Sequence, residues 1–397
     1  MKGTVRVGAF VFAFALLAAA CAQEEQQPPA GGGGLPTKVG AGEGELNLIG
    51  WIGYVEDGST DENFDWVTPF EEESGCQVEV KYGDTSDEMV TLMRQGGGSV
   101  YDGVSASGDA TNRLIAAGDV AEINVDLIPD FKDVMPSLES PPHNTVDGKH
   151  YGVPYMWGAN VLAYNTEVVK TAPTSWDITW EADSPFTGKV AAYDSPIFIA
   201  DAALYLKAHR PDLGITDPYE LTEEQLDAAI DLLAQQRPMV GKYWAAAADE
   251  IDAFTSGELV VGTAWPYQVS ILQGDKQPVD AVIPQEGATG WADTWMMSSN
   301  APHPNCMYKW MQWTMRPEVQ AEVAEFYGAT PSNAQSCDLL RDSIGEAAGS
   351  VYHCGDDGFL GQLALWKTPL QACGDDRGDT CVDYSVWTQR WQEVRGA

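Results

Sequence analysis

The chain has 397 residues, 44 % of them hydrophobic, with 59 acidic against 22 basic side chains and a formal net charge of −37. So few Lys and Arg exclude a nucleic-acid partner, whose phosphates need cationic contacts, and they exclude a polybasic membrane footprint. The excess acid reads first as the solvated surface of an exported or salt-adapted protein, and second as a weak, salt-screened attraction for cations.

The first 20 residues have the pattern of a signal peptide. Lys2 and Arg6 precede an apolar run from Val7 to Leu17 that is too short for a stable membrane span. Ala18, Ala19 and Ala20 then lead into Cys21, as in a bacterial lipobox, except that the usual leucine stands four residues before the cysteine, at Leu17, instead of three. We expect Cys21 to be lipidated and residues 21–44 to be a flexible linker, because QEEQQPPAGGGG (Gln23 to Gly34) cannot build a core. A lipid and a tether hold a soluble domain at a membrane without crossing it. The remaining length suits two domains.

Six cysteines remain: Cys76, Cys306, Cys337, Cys354, Cys373 and Cys381. An even number in an exported chain points to disulfides, and six cysteines allow fifteen pairings. Closeness in sequence favours Cys373–Cys381 and Cys337–Cys354, which leaves Cys76–Cys306. There is no C-x-x-C, and the five histidines are widely spread, so neither a metal site nor any cofactor is expected.

In chain order, Glu45 to Gly50 alternates as a strand and Phe64 to Glu73 as an amphipathic helix that Gly75 ends. Cys76 to Tyr82 is a second strand. Thr85 and Glu88 form a capping box for a helix ending near Gln95. A short strand, Tyr101 to Ser105, precedes a helix from Asp109 to Ala117 with Gly118 as its stop. Lys189 to Tyr193 and Leu259 to Thr263 read as strands, and Ile199 to Lys207 as a helix. Thr222 and Gln225 cap a long helix through Gln236, and Cys306 to Met315 and Pro317 to Tyr327 are two more helices. The tail from Ser332 reads as irregular apart from a helix near Trp387. Alternating strand and helix indicate an α/β fold with mostly parallel sheet. Within it, GATGWADT places Asp293 two residues after Trp291, a carboxylate beside an aromatic face, which suits a cationic amine.

The ordered segments GWIGYVEDG, YDGVSASGDATNRLI, GKHYGVPYMWGANVLAYNTE, YDSPIFIADAALYL, GELVVGTAWPYQV, GATGWADT and YGATPSN resemble the spermidine/putrescine-binding (PotD-like) solute-binding proteins of ABC importers. DPYELTEEQL, HPNCMYKWMQW and LWKTP look like the YdcS-type subgroup. The resemblance implies a two-lobed periplasmic-binding-protein-like fold of type II, with the ligand in a cleft beyond the strand ends. Lobe one would comprise 45–155 plus 292–330, and lobe two 160–290 plus 331–397. It further implies a monomer outside the cytoplasm that performs no chemistry and delivers a small amine to a membrane permease.

Carried over residue by residue, the resemblance assigns ligand contacts to Trp51, Tyr54, Ser107, Trp265, Trp291 and Asp293; Ser195, Trp244, and Tyr267 and Gln268, which follow Trp265, are lesser candidates. Ser107 either lines the cleft or caps the helix that follows it. Two positions depart. Ser195 and Phe198 stand where the polyamine binders carry acids, leaving Asp194 as a replacement, and Ala329 stands where they carry a tyrosine, so the pocket is either enlarged or filled by Trp366. The missing acids motivate a second reading, a binder of an amino acid or other zwitterion. A third, a secreted serine hydrolase, rests on Ser105 and Ser107 in GVSASG, a near match to the G-x-S-x-G elbow.

Overall fold

The computed structural model describes residues 35–181, 184–345 and 352–396. The expected signal peptide, Cys21 and the Gln23–Gly34 stretch lie outside them. In chain order the strands are β1 Glu45–Gly50, β2 Gln77–Tyr82, β3 Gly103–Ala106, β4 Thr145–Val146, β5 Lys149–His150, β6 Val153–Ala159 and β7 Val161–Asn165. They continue with β8 Val190–Tyr193, β9 Val240–Trp244, β10 Val261–Ala264, β11 Val279–Val282, β12 Thr289–Met297, β13 Thr330–Pro331 and β14 Ala364–Leu365.

Two sheets organise the chain. The first has the order β13-β6-β12-β3-β1-β2, with β14 added to β12, and the second has the order β11-β7-β10-β8-β9. Neither is mostly parallel, contrary to the sequence expectation. In the first, β1 pairs in parallel with β2 and β3, but β12 runs antiparallel to both β3 and β6. In the second, β8 is parallel to β9 and β10, while β7 is antiparallel to β10 and β11. Apart from the short β13, which also pairs antiparallel with β6, the antiparallel pairings of these two sheets involve the strands that carry the chain between them. β6 leads through Asn160 into β7, and β11 returns through residues 283–288 into β12. A strand entering from the other sheet has no helical crossover to reverse it, so it pairs antiparallel. Every residue of β12 is buried, and such an uninterrupted run carries no sign of direction in its sequence.

The two crossings are clasped. The Asn160 N–H donates to the Thr289 carbonyl at 2.8 Å and its side-chain amide donates to Thr289 Oγ1 at 2.7 Å. Local signals elsewhere hold. Thr222 and Gln225 make the reciprocal capping box of helix Glu223–Gln236, and Gly118 ends helix Gly108–Ala117 in the left-handed region. At Thr85 only half the box forms, because Glu88 reaches back to the N–H of Asp84.

The tail differs from its expected form and placement. It contains a helix, Ser336–Ile344, that packs on helix Pro317–Tyr327. β13 and β14 both join the first sheet, so residues 331–345 and 352–365 run with the first sheet and not the second. Helix Tyr384–Gly396 packs on helix Glu223–Gln236 beside the second sheet. The disulfides are Cys76–Cys306, Cys337–Cys354 and Cys373–Cys381, the pairing that sequence closeness favours. No helix among the described residues is long and apolar enough to cross a membrane.

Candidate functional site

Each strand of the first sheet that faces the second ends in a side chain directed to the same place. After β1 the chain turns through Gly53, whose φ of +84° and closeness to the Tyr327 ring leave no room for a side chain. The turn buries Trp51 and Tyr54. After β3 comes Ser107, at the start of helix Gly108–Ala117. β12 supplies Trp291 and Asp293, two residues apart and so on one face of the strand. Opposite Asp293 the pairing slips. Ala292 faces Trp157 and Thr294 faces Pro154, so Tyr155 and Met156 of β6 together oppose Asp293. A bulge of this kind re-aims a side chain.

Asp293 is 3 % exposed. The Tyr54 hydroxyl donates to its Oδ2 at 2.6 Å, and the Ser107 hydroxyl donates to its Oδ1. Ser107 therefore lines the cleft and does not cap its helix with its side chain. Burial pushes the Asp293 carboxyl up to about 7, against the two hydrogen bonds that favour the ion. The carboxylate keeps free acceptor capacity, since each oxygen accepts one of the two bonds it can take.

Around this carboxylate stand Trp51, Trp265, Trp291, Tyr327 and Trp366, with Ser107, enclosing a cavity of about 10 Å³, room for about one water molecule. Trp265 comes from the second sheet. It follows β10, and its N–H is held by the Gln268 side chain at 3.2 Å. Gln268 in turn donates to the buried Glu250 at 3.0 Å. Gln268 is thus a support of Trp265 and does not line the cavity. Trp244 stands behind Trp265, 4.8 Å between ring centroids, with its indole N–H on the Thr263 carbonyl. Tyr267 stacks at 4.8 Å on Tyr327 from across the cleft.

Asp194 does not join the site. Arg395 holds it with two contacts at 2.8 and 2.9 Å, and Trp391 donates to it at 3.3 Å, so it is already neutralised. Ser195 is buried but does not line the cavity, and Phe198 stacks on Trp180 at 5.6 Å. The cavity therefore has one carboxylate. A second buried acid, Asp109, sits beneath Ser107 with Ser86 donating to it at 2.8 Å and the Arg113 charge beside it, and it is not part of the lining.

Two lining residues were not assigned as contacts from sequence. The aromatic ring missing at Ala329 is supplied by Tyr327, two residues earlier at the end of its helix. Trp366 reaches the cavity because its N–H extends β14 onto Gly290 at 2.7 Å, and it stacks at 5.8 Å on Tyr193. Among the described residues no imidazole is hydrogen-bonded to Ser105 or Ser107, and the Ser107 proton points at a carboxylate, so no serine–histidine pair is assembled. One group has metal-ligand geometry, Asp177, His209 and Glu286, whose donor atoms lie within 4.8 Å of one another. It lies outside the cavity, and His209 already pairs with Glu286 at 3.0 Å.

Two α/β halves, joined by clasped crossing strands and meeting over an aromatic cavity with one buried carboxylate, define a protein that encloses a small solute. The chain belongs to the family of bacterial extracellular solute-binding proteins, whose model matches residues 65–343. It is 26 % identical over 352 residues to spermidine/putrescine-binding periplasmic protein 1 of Haemophilus influenzae, covering 88 % of both chains. It is 28 % identical to the putrescine/agmatine-binding protein of Pseudomonas aeruginosa, over 71 % of this chain and 80 % of that one. Among solved structures, the TpPotD lipoprotein of Treponema pallidum matches with a TM-score of 0.68 at 19 % identity, over 89 % of this chain and all of the other.

Proposed function

We propose that this protein captures a small cationic amine between its two lobes and delivers it to the permease of an ABC importer. The observation that carries the reading is Asp293, a buried carboxylate with spare acceptor capacity inside a box of aromatic rings. Ring faces attract a cation by about 0.5–2 kcal/mol each, and a buried ammonium needs a carboxylate partner. The polyamine binders among its relatives support this ligand class.

The lobes part to admit the solute and close on it, with Asn160 and Thr289 as the hinge contacts. In this reading residues 45–159, 289–345 and 352–365 form the first lobe, and 161–181 and 184–282 with the final helix form the second. The protein carries no catalysis of its own, acts as a monomer outside the cytoplasm, and is tethered through a lipid on Cys21. The segments DPYELTEEQL, HPNCMYKWMQW and LWKTP support a place in the YdcS-type subgroup.

Calorimetry with putrescine and spermidine tests the reading. Saturable one-to-one binding by the wild type, lost in Asp293→Asn while circular dichroism stays native, is the expected result. Unchanged affinity in the variant overturns the site.

A further inference from the structure

The residues around the cavity carry hydrogen-bond donors that the structure leaves unused. Trp51, Trp291 and Trp366 all line it, and the indole nitrogen of each is buried with no partner among the described residues. The Tyr193 hydroxyl, on the ring stacked against Trp366, is likewise unpartnered. Three other unpartnered indoles, Trp295, Trp310 and Trp387, do not line the cavity. An indole N–H only donates, and an ammonium group also only donates, so a second amine end would leave these groups unsatisfied. Each buried donor without an acceptor is a standing cost to any complex that does not supply one. The second carboxylate that a diamine requires is absent as well, because Asp194 is engaged by Arg395.

We infer that the solute is a monoamine that also carries a hydrogen-bond acceptor oxygen, which the indole N–H groups of Trp51, Trp291 and Trp366 receive while Asp293 holds the ammonium. This rests on the amine reading above and narrows it. The acceptor is either anionic, as in an amino acid, or neutral, as in an amino alcohol or amide. No Lys, Arg or His lines the cavity to balance an anion.

A four-carbon series tests it on the wild-type protein by calorimetry: n-butylamine, putrescine, 4-amino-1-butanol, 4-aminobutanamide and 4-aminobutyrate. The expected result is that at least one oxygen-bearing member binds tenfold or more tighter than both n-butylamine and putrescine. Whether that member is 4-aminobutyrate or one of the neutral compounds assigns the charge of the acceptor. In Trp291→Phe, which keeps the ring and removes the N–H, the preference for that member over n-butylamine should shrink about tenfold. Putrescine binding as tightly as every oxygen-bearing compound overturns the inference and leaves the amine reading in place. Failure of all five and of spermidine to bind overturns both.

Discussion

Trp51 and Trp265 meet edge to face, with ring centroids 5.8 Å apart and planes at 72°, although one follows β1 of the first sheet and the other β10 of the second. Tyr327 and Tyr267 form a second such contact from opposite sides, stacked at 4.8 Å. The aromatic residues that wall the cavity are thus also the surfaces that hold the lobes together. A solute that separates these rings slightly and inserts among them replaces one apolar contact with another. Trp265→Ala should therefore weaken the tightest-binding amine of the four-carbon series by about 1–3 kcal/mol, roughly fivefold to 150-fold in Kd, as expected for losing a buried aromatic wall. A Kd within twofold of wild type would show that Trp265 closes the cavity without touching the solute.

The Asp293 carboxyl, raised to about 7 by burial, makes binding depend on pH. A cation and a proton compete for the same oxygens. At pH 8 the carboxylate is ionised and ready. Below about 7 each further pH unit should weaken an amine that stays charged by up to tenfold. The sign for stability without solute is the opposite. The folded-state value lies above the unfolded one, so the fold is most favoured with the proton on and loses stability as pH rises from about 4 through 7. Asp293→Asn, in which binding is lost, should lose the share of the stability slope that Asp293 contributes, while Asp109 and Asp201, also raised by burial, keep theirs. Kd values from pH 5 to 8, with proton release read in buffers of different ionisation enthalpy, check this. Affinity constant over that range would show that Asp293 is ionised throughout.

Asp194→Asn separates the two acids. Its partner Arg395 is partly exposed, and a pair of that kind contributes about 0–1 kcal/mol. The variant should lose at most that much stability and keep its amine affinity within about twofold. A large loss of affinity would make Asp194 a ligand contact after all.

The site was legible wherever a cavity residue directly follows a strand. Trp51, Ser107, Trp265 and the Trp291–Asp293 pair each stand at the end of, or within, a recognisable apolar run, and open α/β sheets place their sites there. Tyr327 was hidden because a tyrosine in the last turn of an amphipathic helix looks like core. Trp366 was legible only as one of two alternatives at Ala329, because its position depends on Gly290, 76 residues earlier in the chain and joined to it only by β14 pairing on β12. Asp194 misled for the same reason: its neutralising arginine is 201 residues away. Helix Ser336–Ile344 was missed because its buried face is only Ser336, Cys337 and Leu340, too few apolar positions to show a period.

Gly108 is where the tail presses against the first lobe. A Cβ built there lies 1.8 Å from the Trp366 carbonyl oxygen, a backbone atom that cannot move alone. Thr368 also donates to the Asp109 carbonyl at 2.7 Å, so the tail is fixed on both sides of the contact. Gly108→Ala should displace Trp366 from the cavity, destabilise the fold by about 1–3 kcal/mol and weaken amine binding. Gly274→Ala, at the end of helix Pro266–Gly274 with no atom within 4 Å of the built Cβ, is the control and should change neither. Urea titration and calorimetry on both variants measure the two effects. A Gly108→Ala protein with wild-type affinity would mean that the tail accommodates the methyl group without moving Trp366.

The Cys76–Cys306 disulfide spans a sequence separation of 230 and joins the edge beside β2 to the start of helix Pro304–Thr314, and neither cysteine lines the cavity. Most of the first lobe and all of the second sheet lie within the loop it closes. Constraining a loop that long removes entropy from the unfolded chain, so replacing both cysteines with serine should cost about 2–5 kcal/mol of stability. Reduction at Cys373–Cys381, which closes a loop with a separation of only 8, should cost less, since the gain grows with loop length. Amine affinity measured well below the unfolding transition should be the same in the Cys76→Ser/Cys306→Ser protein as in the wild type, because the cavity contacts are untouched. Loss of affinity without loss of stability would mean instead that this bridge sets the geometry of β1 and, through it, the position of Trp51.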